Sequence, residues 1–290
     1  MTMDSVLPGG DTMMTESIRQ LEKLASEAIR AEEGDYLVDG LLHCGKCHTP
    51  KQSRFDTAWG IRVTYHLCEC GMERRVKAEQ QKADDAQMER ISKLRDLGFP
   101  DEEMRNWTFE ADDMANQKLT TVMHRYVDKF QEMRDAGKGL LLFGDVGVGK
   151  SFYAACAVNA LIDSGVPCLM TSFLRLTNKI QERFEGRQEY IDSLNRFKLL
   201  TIDDLGVERM TGTMNEMVYA IIDSRYRSKL PLIVTTNLTA DELKNPTDVH
   251  KARIYSRLME MCIPIEVKGR DRRKEKLKRD FSTFEELLGL

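Results

Sequence analysis

Apolar positions change their period along this chain, and the changes mark out its parts. Residues 1–15 show no period, and their Gly, Met, Thr and Asp content reads as a disordered tail. Ile18, Leu21, Leu24, Ala25, Ala28 and Ile29 then recur at helical spacing and predict a short amphipathic helix. Between residues 72 and 97 charged and polar residues dominate, with Val76, Met88, Ile91 and Leu94 as sparse apolar points, the composition of a solvated linker helix. Gly98-Phe99-Pro100 ends it, because proline disfavours helix in the residue before it.

From residue 118 onward the pattern alternates. Gly139–Phe143, Cys168–Met170, Phe197–Ile202 and Leu232–Thr236 are short apolar runs of strand type, separated by segments of helix length. That alternation predicts an α/β domain, a parallel sheet covered by helices on both faces. The chain is therefore divided into a tail (1–15), a small cysteine-bearing module (16–75), a charged linker helix (76–97) and a large α/β domain (98–290). No internal repeat is visible.

The first apolar run leads directly into Gly144-Asp145-Val146-Gly147-Val148-Gly149-Lys150-Ser151, which fits the phosphate-loop pattern G-x-x-x-x-G-K-[ST] between a strand and the helix that starts at Phe152. Gly147 and Gly149 let backbone N–H groups approach phosphates without a Cβ in the way. Lys150 reaches the β- and γ-phosphates, and the Ser151 hydroxyl ligates Mg²⁺. The third run ends in Asp203-Asp204, where an apolar strand delivers carboxylates to the same site. Asp203 would hold Mg²⁺ and Asp204 would polarise an attacking water; without the upstream loop, the pair could equally start a turn. Asn237 closes the fourth run, and its amide could orient the same water or simply form a turn. ATP and Mg²⁺ are the expected cofactors and ATP hydrolysis the expected reaction.

Seven cysteines in 290 residues do not resemble a secreted disulfide framework. Cys44-Gly-Lys-Cys47 and Cys68-Glu-Cys70 can instead bring four thiolates to one Zn²⁺, which would fold a segment too small for its own core. His43, His48 and His66 leave a Cys₃His set open, and a redox-active C-x-x-C is the competing reading. Cys156, Cys168 and Cys262 lie in apolar stretches and read as core thiols.

Charge narrows the partners. The formal net charge is only −4, so nucleic-acid binding must come from a local patch. Residues 268–279 carry eight basic against two acidic side chains and suit single-stranded DNA, although a solvated tail has the same composition. Phe173, Arg175, Lys179, Arg183, Phe184, Arg187 and Tyr190 interleave cations and aromatics as stacking platforms do, while Phe173, Leu176, Ile180 and Phe184 also have the spacing of a buried helix face. No apolar run is long enough for a membrane span and the N-terminus has no signal-peptide pattern, so a soluble, cytoplasmic protein is expected.

The motifs Gly-Asp-Val-Gly-Val-Gly-Lys-Ser, Leu-Leu-Thr-Ile-Asp-Asp-Leu-Gly, Ile-Val-Thr-Thr-Asn-Leu and Arg253-Ile-Tyr-Ser-Arg257-Leu, together with Leu97-Gly-Phe-Pro and Thr108-Phe109, resemble a known family. Residues 91–281 look like the ATPase domain of the DnaC/DnaI-type bacterial helicase loaders and the related IstB-type transposition ATPases, a branch of the AAA+ class. The resemblance implies that Asn237 is the sensor-1 residue, Arg257 an arginine finger placed in a neighbouring copy's site, and Arg272 the sensor-2 residue. Arg253 matches a further arginine of the same motif. A guanidinium can pair two oxygens of the transferring phosphoryl group, which supports Arg257 independently, while Arg253 and Arg257, four apart on one face of an expected helix, could also form a solvated basic face. Asp204 stands where many AAA+ relatives carry glutamate, a departure that suits slow turnover. The zinc module resembles the N-terminal domain of the DnaI-type loaders, which implies a hexameric replicative helicase as partner, single-stranded DNA as substrate for loading, and self-association through the ATP site; the alternatives are an IstB-like transposition helper ATPase and a zinc-dependent adaptor that holds ATP as a structural ligand.

Overall fold

The structure, a computed structural model, describes residues 31–58, 60–183, 185–206, 212–246 and 248–288. The tail, the helix expected at Ile18–Ile29 and Phe184 lie outside the described residues. The chain divides into two compact units, residues 1–87 and 88–290.

In the first unit β1 (Tyr36–Val38) and β2 (Leu41–His43) form one antiparallel hairpin, and β3 (Gln52–Thr57) and β4 (Gly60–Tyr65) form another. These strands are not assigned from the sequence: every residue of β4 and most of β3 is exposed, and the one alternating stretch, Ile61-Arg62-Val63-Thr64-Tyr65, is short and isolated. The apolar side chains of Leu37, Phe55, Ile61 and Val63 in these strands are exposed and build no core. A buried ion pair stands in its place: Lys51 Nζ lies 2.6 Å from Asp35 Oδ2, with both side chains at most 5% exposed. Hydrogen bonding to Lys51 holds the Asp35 carboxyl down at about 2, and its other oxygen accepts the Gly45 N–H at 3.0 Å.

Helix α1 (Glu69–Gly98) begins at the second cysteine pair and stops at Gly98, before Pro100. Its end belongs to the second unit, where Ile91 and Leu94 pack on the core and Arg95 pairs with Asp163. A Cβ at Gly98 would meet Ile162 and the Cys168 carbonyl within 2.8 Å, so the close approach needs glycine.

The second unit contains a five-stranded, all-parallel sheet in the order β6 (Cys168–Ser172), β7 (Leu199–Leu205), β8 (Leu232–Thr236), β5 (Gly139–Phe143) and β9 (Cys262–Glu266). Period 2 sorts the apolar side chains between two layers. Leu140 and Leu142 enter one with Met123, Tyr153 and Ile162, and Leu141 enters the other with Leu200, Ile222 and Leu258. Helices α2 (Gln117–Asp128) and α4 (Lys150–Asp163) contribute to the first layer. Helices α5 (Phe173–Gln181), α7 (Gly212–Arg227) and α9 (Val249–Met261) contribute to the second. Between α2 and β5 lies the short α3 (Phe130–Asp135), between α5 and β7 α6 (Arg187–Ser193), and between β8 and α9 α8 (Ala240–Lys244). A last helix, α10, spans Arg272–Leu288.

Three strands of this sheet depart from the sequence reading. The second runs on past Met170 to Ser172. The third runs over Leu199–Leu205 rather than 197–202, with Phe197 buried just before it. The fifth, β9, was not read at all: Cys-Ile-Pro-Ile-Glu is short, contains proline and is largely exposed because it lies at the sheet edge.

Candidate nucleotide site and cysteine centre

The phosphate loop leaves the carboxyl end of β5 and enters α4, and Gly144, Gly147 and Gly149 all have positive φ, which glycine adopts without strain. Tight packing adds a second reason for glycine. A Cβ on Gly147 would lie 2.1 Å from Asp271 Oδ1, and one on Gly144 would lie 2.3 Å from the Val267 carbonyl. The segment between β9 and α10 is thus strapped across the loop, and the Arg272 N–H donates to the Gly147 carbonyl at 2.9 Å.

Lys150 is 5% exposed, and its three ammonium protons reach Gly144 O at 2.9 Å, Asp145 O at 2.6 Å and Asn237 Oδ1 at 2.8 Å. Burial pushes its pKa down, against the opposing pull of Asp204 and Asp203. A cation so enclosed is suited to an anionic ligand, which would return the charge compensation that water no longer gives. Asn237 and Lys150, read separately from the sequence, are therefore brought together.

Asp203 and Asp204 sit at an irregularity of the β7–β8 pairing, where the register shifts between Ile202 and Leu205. Asp204 has φ +57°, so it turns out of the strand into the cleft while Asp203 stays buried. Thr235, itself fully buried, ties the two together. Its hydroxyl donates to Asp203 Oδ1 at 2.5 Å and accepts the Asp204 N–H at 3.0 Å. The Asp204 carboxyl is pushed up by burial and by the Asp203 charge, partly offset by Arg273 and Lys150.

A cleft of about 520 Å³ is lined by Gly147, Gly149, Lys150, Ser151, Asp204 and Asn237 on its phosphate side, and by Val146, Phe152, Trp107, Glu103, Arg272 and Arg273 elsewhere. Trp107 and Glu103 went unnoticed in the sequence; the neighbouring Thr108-Phe109 was the nearest signal. Arg272 packs over the Phe152 and Tyr153 rings and pairs with Asp113, and with Asp112 at 3.6 Å.

Arg257 does not line this cleft. It lies on α9 with its guanidinium 4.0 Å above the Tyr226 ring, and Arg253 similarly covers Tyr219 at 4.5 Å.

The basic and aromatic segments prove more occupied than their composition suggests. Arg272 and Arg273 of the basic run 268–279 face the nucleotide cleft, and Lys268 pairs with Glu266 at 2.9 Å. Phe173, Leu176 and Ile180 are buried, Arg175 pairs with Asp101 at 2.9 Å, and Arg183 covers Tyr190.

In the first unit the sulfurs of Cys44, Cys47, Cys68 and Cys70 lie within 4.8 Å of one another, with Cys44 and Cys68 each 3.5 Å from Cys70. Tetrahedral Zn²⁺ with bonds of about 2.3 Å places its sulfurs roughly 3.8 Å apart, so the donor set fits zinc. The three nearby histidines are engaged elsewhere: His43 with the Leu41 carbonyl, His48 with the Tyr36 hydroxyl and His66 with Ser53. Backbone and Thr49 hydrogen bonds hold the Cys47 thiol down at about 5, while its crowded neighbours push Cys70 up to about 12.

A parallel five-stranded sheet with a phosphate loop after its β5 strand and a Walker-type aspartate pair on β7 defines an α/β ATP-binding protein of the AAA+ class. The family model described as IstB-like ATP binding protein matches residues 67–280, and the chain belongs to that family. The replicative helicase loader DnaI of Bacillus subtilis (strain 168) is 26% identical over 230 residues, 74% of this chain and 70% of that protein. The replicative helicase loader DnaC of Escherichia coli (strain K12) is 26% identical over 143 residues, 48% of this chain and 56% of that protein. A crystal structure of DnaI superposes with a TM-score of 0.51 at 25% identity, covering 62% of this chain and 98% of that one. Among the described residues no helix is long and apolar enough to cross a membrane.

Proposed function

We propose that this chain is an ATPase that loads a hexameric replicative helicase onto single-stranded DNA, with ATP hydrolysis as the switch. The observation that carries the reading is the pairing of a four-cysteine centre with an ATP-binding unit similar to that of DnaI. The loop N–H groups and Lys150 would hold the phosphates, with Ser151 and Asp203 holding Mg²⁺. Bound there, Mg²⁺ would neutralise charge developing between the β- and γ-oxygens. Asp204 polarises the attacking water, Asn237 orients it, and Arg272 reads the phosphates from the strap side. Arg257, which does not line its own cleft, completes the site of a second copy. The four cysteines would hold one structural Zn²⁺ in the unit that engages the helicase.

Capture from an extract of the source cell with ATP present tests the reading. A hexameric helicase bound to the chain, and lost when the cysteine centre is stripped of metal, supports it. A transposase among the captured proteins would favour the insertion-sequence role suggested by the family model and by an insertion-sequence ATP-binding protein of Sinorhizobium fredii, 33% identical over 103 residues, 35% of this chain and 34% of that protein.

A further inference from the structure

Where the α7 and α9 helices pack together, their contact surface carries an ordered array of arginines and tyrosines outside the nucleotide cleft. Arg253 and Arg257 are one helical turn apart on α9, and each lies over a tyrosine of α7, Tyr219 at 4.5 Å and Tyr226 at 4.0 Å. Around Arg257 the contacts differ from those of a closed ion pair. Asp223 Oδ1 is 3.7 Å from its Nη2, and Glu260 Oε2 is 3.9 Å from its Nη1, both beyond ordinary hydrogen-bond length. Asp223 is held from its other side by Arg227 Nε at 2.8 Å, and its Oδ1 is buried without a hydrogen bond. Glu260 is likewise committed, accepting the Tyr226 hydroxyl at 2.6 Å.

A buried carboxylate oxygen with no donor is costly and rarely left without a purpose. Here it faces a guanidinium whose plane is fixed by an aromatic face but whose N–H groups are not all spent. Stacking on Tyr226 fixes orientation and the Tyr219 side chain takes one hydrogen bond, and a planar guanidinium with five N–H donors keeps others for a ligand, as an ammonium does not. The acid, in turn, draws the side chain toward α7 without consuming it. Arg257 remains one third exposed on the surface of the unit.

We infer that Tyr226 and Asp223 are positioning residues that hold the Arg257 guanidinium ready for the nucleotide of a second copy. The inference rests on the reading of Arg257 as a finger acting between copies. Tyr226 sets the plane, Asp223 sets the reach, and Arg227 and Glu260 keep these two groups in place. Misplacing a catalytic group by about 1 Å can cost on the order of 10²-fold in rate. Disturbing the holder should therefore lower turnover substantially but less than removing the finger, for which losses of roughly 10³ to 10⁵ are typical.

The test measures ATPase activity and ATP affinity of the full chain carrying Tyr226→Leu, Tyr226→Phe, Asp223→Asn or Arg257→Ala, alone and mixed. Tyr226→Leu and Asp223→Asn are expected to lose about 10- to 100-fold in kcat with KM for ATP unchanged, while Tyr226→Phe keeps the ring and most of the turnover. Mixing Tyr226→Leu with Asp204→Asn subunits should restore activity, because the first brings an intact nucleotide site and the second an intact finger. Mixing Tyr226→Leu with Arg257→Ala should not, because both lack a working finger. If Arg257→Ala alone retains full turnover, the shared-site reading itself falls. If Arg257→Ala is inactive but Tyr226→Leu and Asp223→Asn turn over normally, the finger stands and its positioning by these residues is overturned. A Tyr226→Leu defect that no mixture repairs, with a lowered melting temperature, would assign the ring to packing alone and also overturn the proposal.

Discussion

Replacing Thr235 by valine should separate the aspartate pair from its support while leaving the shape of the core almost unchanged. Thr235 is fully buried, donates to Asp203 Oδ1 at 2.5 Å and accepts the Asp204 N–H at 3.0 Å, so one hydroxyl serves both residues. Valine fills the same space with a methyl, so no cavity term enters. What is lost is a hydrogen bond to a charged group, worth about 1.5–3 kcal/mol, and a partner for a backbone N–H whose orphaning costs about 1–3 kcal/mol. Some of this is recovered if the irregular pairing at Ile202–Leu205 relaxes, and a net loss of about 3 kcal/mol is a fair expectation. For a unit of this size about 2–4 °C of melting temperature accompanies each kcal/mol, so the transition should fall by roughly 6–12 °C. Thermal melts of Thr235→Val and Thr235→Ser decide the matter, since serine keeps the hydroxyl and should lose much less. The Mg²⁺ concentration needed for half-maximal ATPase should also rise in the valine variant. A valine variant that melts within about 2 °C of the parent, or a serine variant that falls as far, would refute the reasoning.

Other outcomes follow from the same geometry. Lys150→Ala should abolish nucleotide binding, measured by a fluorescent ATP analogue, because the loop loses its buried point cation. Asp204→Asn should keep Mg-ATP and stop turnover. Because burial and Asp203 raise the Asp204 pKa above 3.8, its charged form costs folding stability, and that cost grows as pH rises through the raised value. The neutral asparagine should therefore melt higher than the parent near pH 7, and wild-type turnover should start to fall on acidification above the ordinary aspartate range. Metal analysis of reduced protein should find about one zinc per chain, lost in Cys47→Ser with ATP binding intact. Changing Lys268 and Lys274 to alanine, which spares the cleft-facing Arg272 and Arg273, should weaken single-stranded DNA binding and flatten its salt dependence.

What the sequence disclosed depended on how local each signal was. Leu140-Leu141-Leu142 is buried on both faces of a parallel sheet, so it stands out as an unbroken apolar run, and the phosphate loop beside it is contiguous. The meeting of Asn237 with Lys150 followed from strand order only once the fold was known. Trp107 and Glu103 reach the cleft from a segment far upstream of the loop, where the adjoining Thr108-Phe109 carries a resemblance but no chemistry of its own. Thr235 lay unremarked inside a strand motif. The turn of Asp204 into the cleft depends on a left-handed backbone that aspartate adopts in many ordinary turns. Arg272 illustrates the opposite difficulty, since charge alone grouped it with a basic tail while its contacts place it over Phe152 in the lining of the cleft.

One of the two outer strands of the sheet, β9, bears on how another molecule can meet it. Val267 N–H points inward to the Phe143 carbonyl, so by alternation Ile263 and Ile265 also turn toward β5, and Cys262, Pro264 and Glu266 turn outward. Of these three, Cys262 spends its N–H on the Leu258 carbonyl and Pro264 has none. Glu266 alone keeps an amide proton on the open side, next to a charged side chain. An incoming strand would find carbonyls with almost nothing to answer them, so lateral growth of the sheet from one molecule into the next is discouraged at this border. At this edge, contact with any other molecule is left to side chains and need not become a permanent seam.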